Sequence, residues 1–356
     1  MDSQNNIVQG RDVSIDLLKV ILMLLVVFGH IINVGHIESL NNIYQIIYWF
    51  HMPAFFLITG YLTNLQKESF KSFTSRKFFT YIVPYISFCL LFFLIFRPGI
   101  KGYLIKIVYG GSLHVGFTGP FWYICCLFVT LVFFKYLSER MKLPYIVMFV
   151  LLMWFVAHYT NNLLTYSTPS SVYNILKRDE FPLPFGISNL FVSSMFFLLG
   201  NCSRSLVSIK KMNITPPILA MILSAYIIEN DFFYKFDMKY VIANDAYMDI
   251  VIPSVFTLSF YYLSIIIATI IPQKGKEIIV KLSKSGLICI FIHMALLQII
   301  TLNLRIFFNE WNIYIFTIFV YIVSFFVYEL CNRCSILAFL FIGARNQSID
   351  NKVVNT

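Results

Sequence analysis

Two residues in the first apolar run of this chain can do chemistry. Lys19 and His30 both lie within residues 15–35, and an ionisable group inside such a run is costly enough in lipid to mark function by default. A lysine ammonium binds anions, and an imidazole takes up or hands on protons near neutral pH. If the run is helical, their spacing puts them about 20° from eclipsed and about 16 Å apart along the axis. Asp12 and Asp16 fall near the same stripe and can pair with Lys19. The plainer reading is a lysine that snorkels to the interface and a hydrogen-bonded histidine near the other interface.

His51 sits in Trp49-Phe50-His51-Met52-Pro53-Ala54-Phe55-Phe56. Pro53 is expected to break the helix there, which is tolerated where the freed backbone is buried in protein or lines a cavity. His30 and His51 can approach each other, or His51 can simply pack. Arg76 and Lys77, ahead of Tyr81 and Pro84-Tyr85, either hold phosphates or anchor a cytosolic loop. Trp122 and Tyr123 open a run from its outer side, where aromatics form interface belts. His293 and Glu329 are expected to face the interior, and His114 and His158 receive no role. Cys331 and Cys334 form a lone C-x-x-C, and the other cysteines lie in apolar runs and read as small hydrophobes.

The elements that must position these residues are membrane helices. Hydrophobic residues make up 59% of the 356 and charged residues 12%, against about 45–50% and about 25% in soluble domains. That surplus cannot hide in one core, so lipid must cover much of the surface. Ten apolar runs read as spans: 15–35, 43–62, 78–97, 120–137, 144–160, 185–200, 216–230, 250–271, 286–303 and 312–330. The sixth and seventh are short, and 335–342 is too short to cross. The expected fold class is all-α: a polytopic bundle of about ten transmembrane helices, with residues 1–345 as one membrane domain and 346–356 as a short cytoplasmic tail. No signal peptide is expected, because the first run is long and lacks a small-residue cleavage site. No soluble domain is read at either end.

Charge orients the bundle. With the N-terminus inside, the outer segments carry Arg97, Lys101, Lys106, Lys177, Arg178, Lys235, Lys239 and Arg305, and the rest of the 27 Lys and Arg fall inside. That bias favours both termini in the cytoplasm. The net charge of +10 therefore reads as topology and not as a nucleic-acid surface. Two outer loops are long: glycine-rich 98–119, and 231–249 with Asp231, Asp237, Asp245 and Asp249.

On these residues the chain resembles the acyltransferase-3 family of integral-membrane acyltransferases, and within it the fucose 4-O-acetylase-like branch. The family opens with a basic residue, ten residues and a histidine, as Lys19 and His30 do, and Arg11-Asp12-Val13-Ser14-Ile15-Asp16 resembles the segment before them. Phe50-His51-Met52-Pro53-Ala54-Phe55-Phe56-Leu57-Ile58-Thr59-Gly60-Tyr61-Leu62 is similar to that branch's signature, with Thr59 where serine is usual. Phe121-Trp122-Tyr123-Ile124, Phe196-Phe197-Leu198-Leu199-Gly200 and Lys284-Ser285-Gly286-Leu287 extend the likeness along the chain. The chain departs from the family at Thr80, which stands where the second of two arginines before the Pro-Tyr falls.

The resemblance implies an enzyme that moves an acyl group, usually acetyl from acetyl-CoA, to a hydroxyl of a surface or lipid-linked glycan. It implies His30 as general base or covalent acyl carrier, and His51 as a residue that orients the acceptor or stabilises the oxyanion. Lys19, Arg76 and Lys77 are implied for the anionic end of CoA, and Trp122 and Tyr123 for the acceptor. It implies no metal and places the protein in a bacterial cytoplasmic membrane. A transporter or flippase is the competing class.

Overall fold

The computed structural model describes residues 11–159, 165–167, 180–206, 214–229, 234–243 and 245–344. Lys177, Arg178, Lys210, Lys211, Asp231, Arg345, Lys352 and the expected tail 346–356 lie outside the described residues.

Helix occupies every one of the ten apolar runs. The helices are α1 Val13–Gly35, α2 Asn41–Leu62, α3 Phe70–Phe96, α4 Ile100–Tyr109, α5 Phe121–Arg140, α6 Leu143–Tyr159, α7 Ile187–Leu206, α8 Thr215–Glu229, α9 Met248–Ile270, α10 Gln273–Lys284, α11 Gly286–Asn303 and α12 Ile313–Arg333. A last short helix starts at Ser335–Leu337 and widens over Ala338–Ile342. Between α6 and α7 a small antiparallel ribbon pairs Thr165–Ser167 with Glu180–Pro182. The protein is an all-α polytopic membrane bundle. By length and composition, α1, α3, α5, α7, α9, α11 and α12 are able to cross a membrane, while α6 and α8 are shorter apolar helices. α2 has 22 residues but carries Asn41, Asn42, Gln45 and His51, and stands outside those seven.

Local chemistry sets the ends. The Asp12 carboxylate caps α1 by accepting from the Ser14 N–H at 3.1 Å, and Asp16 adds a negative charge to its first turn, where the helix dipole favours it. His36 ends α1 in the left-handed region, φ 49°. In α3 the helix widens over Phe78–Ile82, directly before Pro84, which has no N–H to give. Pro53 does not break α2: the helix continues through it to Leu62, because lost hydrogen bonds are tolerated where neighbouring helices enclose the backbone.

The chain divides into two compact units. The first comprises Met1–Leu62, Phe196–Met238 and Ile242–Phe325, and the second Thr63–Met195, Lys239–Val241 and Phe326–Thr356. α1 is the hub of the first unit and packs on α2, α9, α10 and α11. It is apolar nearly all round, which suits a helix enclosed by others: Leu22, Val27 and Ile31 have no exposed surface. α2 crosses α7 backbone to backbone. A Cβ on Gly60 would meet the Phe197 carbonyl, and one on Gly200 the Leu57 carbonyl. The glycines of two separate sequence motifs thus form one contact.

In the second unit, α3 and α5 enclose an aromatic core that includes Phe88, Phe92 and Phe121. His114, given no role from sequence, is fully buried there. It lies 2.8 Å from the Tyr85 hydroxyl, which itself donates to the Ile107 carbonyl at 2.8 Å. Lys135, expected among the inner-loop cations, is also buried, and its ammonium donates to the Leu65 carbonyl at 2.7 Å and pairs with Glu139 at 3.0 Å.

Candidate active site

His30 reaches its neighbours because the residue before it is glycine. A Cβ at Gly29 would lie 3.1 Å from the Tyr48 ring, so the bare backbone lets α2 approach α1 at this level. The Tyr48 hydroxyl lies 3.1 Å from His30 Nδ1. Three residues on, one helical turn away, the His51 ring meets the same tyrosine, with centroids 4.9 Å apart. From α11, the His293 ring stands 5.1 Å from that of His30. Three histidines and a tyrosine from three helices therefore gather in the first unit.

Two of these imidazoles are pinned by their own helices. His51 Nδ1 lies 2.7 Å from the Ile47 carbonyl and His293 Nδ1 2.6 Å from the Cys289 carbonyl. His51 is 4% exposed and His293 0%, while His30 is only half-buried. His30 is thus the member of the group with access to its surroundings, and the other two are fixed walls.

Lys19 lies at the start of the same helix. Its ammonium is 3.7 Å from Asp16, whose carboxylate also binds Arg11 at 2.5 Å and accepts from the Ser283 hydroxyl at 2.9 Å. Asp12, read as a second partner for Lys19, instead caps the helix. The unbroken α1 keeps Lys19 and His30 at their helical spacing.

The remaining candidates belong to the second unit. Arg76 is held by Glu68, with Nε 3.0 Å from Oε1 and a shorter bond from Nη2. Burial pushes the Glu68 carboxyl up, but the hydrogen bonds from Arg76 and Ser72 outweigh it and hold the group below its ordinary value. The Lys77 ammonium lies over the rings of Phe73 and Tyr81, at 5.5 and 5.6 Å. Thr80, at the departure from the family pattern, donates to the Arg76 carbonyl. Trp122 and Tyr123 are each 6% exposed, so both rings are packed inside the unit and do not form a belt. Among the described residues, no group of three or more His, Cys, Asp or Glu is placed to hold a metal ion. None of the seven cysteines forms a disulfide; Cys331 is buried and Cys334 exposed.

The sequence reading missed two members of the cluster. Tyr48 carried no signal, since an aromatic near a helix end reads as an interface residue. His293 was visible as an ionisable group within a run, but nothing local tied it to His30.

Fold and site together define a polytopic membrane protein with a histidine cluster on the hub helix of its first unit. A family model described as an acyltransferase domain matches residues 12–329, and the chain belongs to this acyltransferase family. It is also similar to two proteins named nodulation protein NolL. With that of Sinorhizobium fredii it shares 32% identity over 89 residues, 23% of this chain and 24% of the relative. With that of Mesorhizobium japonicum it shares 26% over 144 residues, 38% of each. The matched segments thus span well under half the length of these relatives. No solved structure matches the chain.

Proposed function

We propose that the protein transfers a short acyl group, acetyl in the first instance, from cytosolic acyl-CoA to a hydroxyl of a surface or lipid-linked glycan. The observation that carries this reading is the placement of His30, half-buried on the hub helix, against Tyr48 and His293 within the matched acyltransferase region. His30 takes the hydroxyl proton as the oxygen attacks the thioester carbon. The new C–O bond forms, the C–S bond breaks, and the CoA thiolate leaves and is protonated. In the covalent variant His30 first accepts the acyl group itself and then passes it to the hydroxyl. His51 lines the same locus and helps to orient the acceptor.

Lys19 suits the anionic end of the donor, because 3.7 Å is a loose ion pair and the side chain is 31% exposed. Arg76 is already committed to Glu68, which leaves Lys77 as the freer cation of that pair. Trp122 and Tyr123 are assigned to the acceptor by resemblance, as is the fucose 4-O-acetylase-like branch. In this reading the helices of all ten apolar runs, the shorter α6 and α8 and the more polar α2 included, cross a bacterial cytoplasmic membrane, with both termini in the cytoplasm.

Mass spectrometry of glycans from a deletion strain and its complemented forms tests the proposal. Deletion should remove acetyl groups, the wild-type chain should restore them, and His30→Ala should insert normally but restore none. Full acetylation with His30→Ala would reject the assignment. Lys19→Ala should raise KM for acetyl-CoA in membranes, with Lys19→Arg partly tolerated. A transporter or flippase would work unchanged without acyl-CoA.

A further inference from the structure

The geometry points to a second substrate contact, at His293. A carbonyl oxygen only accepts hydrogen bonds. The 2.6 Å contact from His293 Nδ1 to the Cys289 carbonyl therefore puts the ring proton on Nδ1 and leaves Nε2 as a bare lone pair. That Nε2 is fully buried and has no hydrogen-bond partner among the described residues. Leaving a buried acceptor unmade is unfavourable, so an unpaired one in a native fold calls for an explanation. It belongs to the ring that stands 5.1 Å from His30. His51, locked the same way by Ile47, also presents Nε2 as an acceptor.

These atoms select the chemistry of what binds. A lone pair repels carboxylates and phosphates and welcomes O–H donors. We propose that His293 Nε2 accepts a hydrogen bond from a second hydroxyl of the acceptor, beside the one that reacts at His30. The acceptor is then a polyol with neighbouring hydroxyls, not a lone alcohol. This rests on the acyl-transfer reading and adds to it a substrate class and a substrate-binding residue.

The test uses the full chain purified in detergent, acetyl-CoA, and methyl glycosides of hexoses with their monodeoxy derivatives as probes. In the wild type, removal of one hydroxyl next to the acetylated position should raise acceptor KM about tenfold or more, because a site built to bond a hydroxyl discriminates against its absence. His293→Asn keeps a group at the Nδ1 position and loses the Nε2 acceptor. It should raise KM for the intact glycoside by a similar factor, leave KM for acetyl-CoA within about twofold, and be indifferent to the same deoxy probe, as expected for two partners of one contact. His293→Gln, whose amide reaches the Nε2 position, should recover most of the affinity. Unchanged acceptor KM in His293→Asn, or equal losses for donor and acceptor, overturns the proposal. So does a wild type indifferent to every deoxy probe, which needs no variant to fold. A wild type that acetylates no glycoside, from a strain whose glycans also keep their acetyl groups on deletion, overturns the acyl-transfer reading and this proposal with it.

Discussion

The Tyr48 hydroxyl sits 3.1 Å from Nδ1 of His30, so the residue assigned to chemistry is oriented from a different helix. Tyr48→Phe should remove one hydrogen bond and keep the ring packed against His51. A bond of this kind contributes about 0.5–1.5 kcal/mol, so kcat should fall by roughly three- to tenfold with donor KM unchanged. Steady-state kinetics of the purified variant check this. Wild-type kcat would show that Tyr48 only packs.

The crossing of α2 and α7 gives a stability prediction. Gly60→Ala and Gly200→Ala each push a methyl group against a backbone carbonyl, which no side-chain rotation relieves. Each should destabilise by about 1–3 kcal/mol. Because both glycines serve one contact, the double variant should lose less than the sum. Thermal unfolding in detergent reads both, and strict additivity would contradict a shared contact.

A third prediction concerns acid. Burial, and then the positive charges of Lys239 and Lys106, push the His114 imidazole down to about 3 from 6.5. Below the unfolded value the unfolded chain binds a proton that the native state refuses, so stability should fall as pH drops from about 6.5 towards 3. The slope from this group approaches about 1.4 kcal/mol per pH unit. Unfolding midpoints measured from pH 7.5 to 5 should decline in the wild type and more gently in His114→Gln. Parallel declines would assign the acid sensitivity to other groups.

The fourth prediction addresses topology. Cys334 is exposed, while Cys89, Cys125, Cys126, Cys289 and Cys331 are buried. Hydrogen bonds from the N–H groups of Leu337 and Ile336 lower its thiol below the ordinary value, which favours the reactive thiolate. A membrane-impermeant maleimide should label it in inside-out vesicles and spare it in intact cells. The opposite pattern would invert the orientation.

The helices were legible because lipid demands long apolar runs, and each run did become a helix. His30 and His51 stood out for the same reason, as ionisable groups in such runs. What brings them together was not legible. The approach of α11 to α1 is a tertiary fact that leaves no local trace, so His293 was seen without its partner. Gly60 and Gly200 each belonged to a motif, yet nothing in either motif names the other. Pro53 misled because the helices packed around it tolerate the hydrogen bond its ring removes, and nothing in the local sequence announces them. Lys135 was legible as a cation near a helix end, but the Leu65 carbonyl and Glu139 carboxylate that receive its ammonium were not.

Asp16 binds Arg11 and Ser283 at short range and Lys19 at 3.7 Å. Arg11 balances its negative charge and the Ser283 hydroxyl adds a neutral hydrogen bond, and the lysine is its most distant partner. In the proposed donor-binding role, a CoA phosphate would draw that ammonium away while Arg11 and Ser283 keep the carboxylate satisfied, so that no isolated charge would be left in the helix that also carries His30.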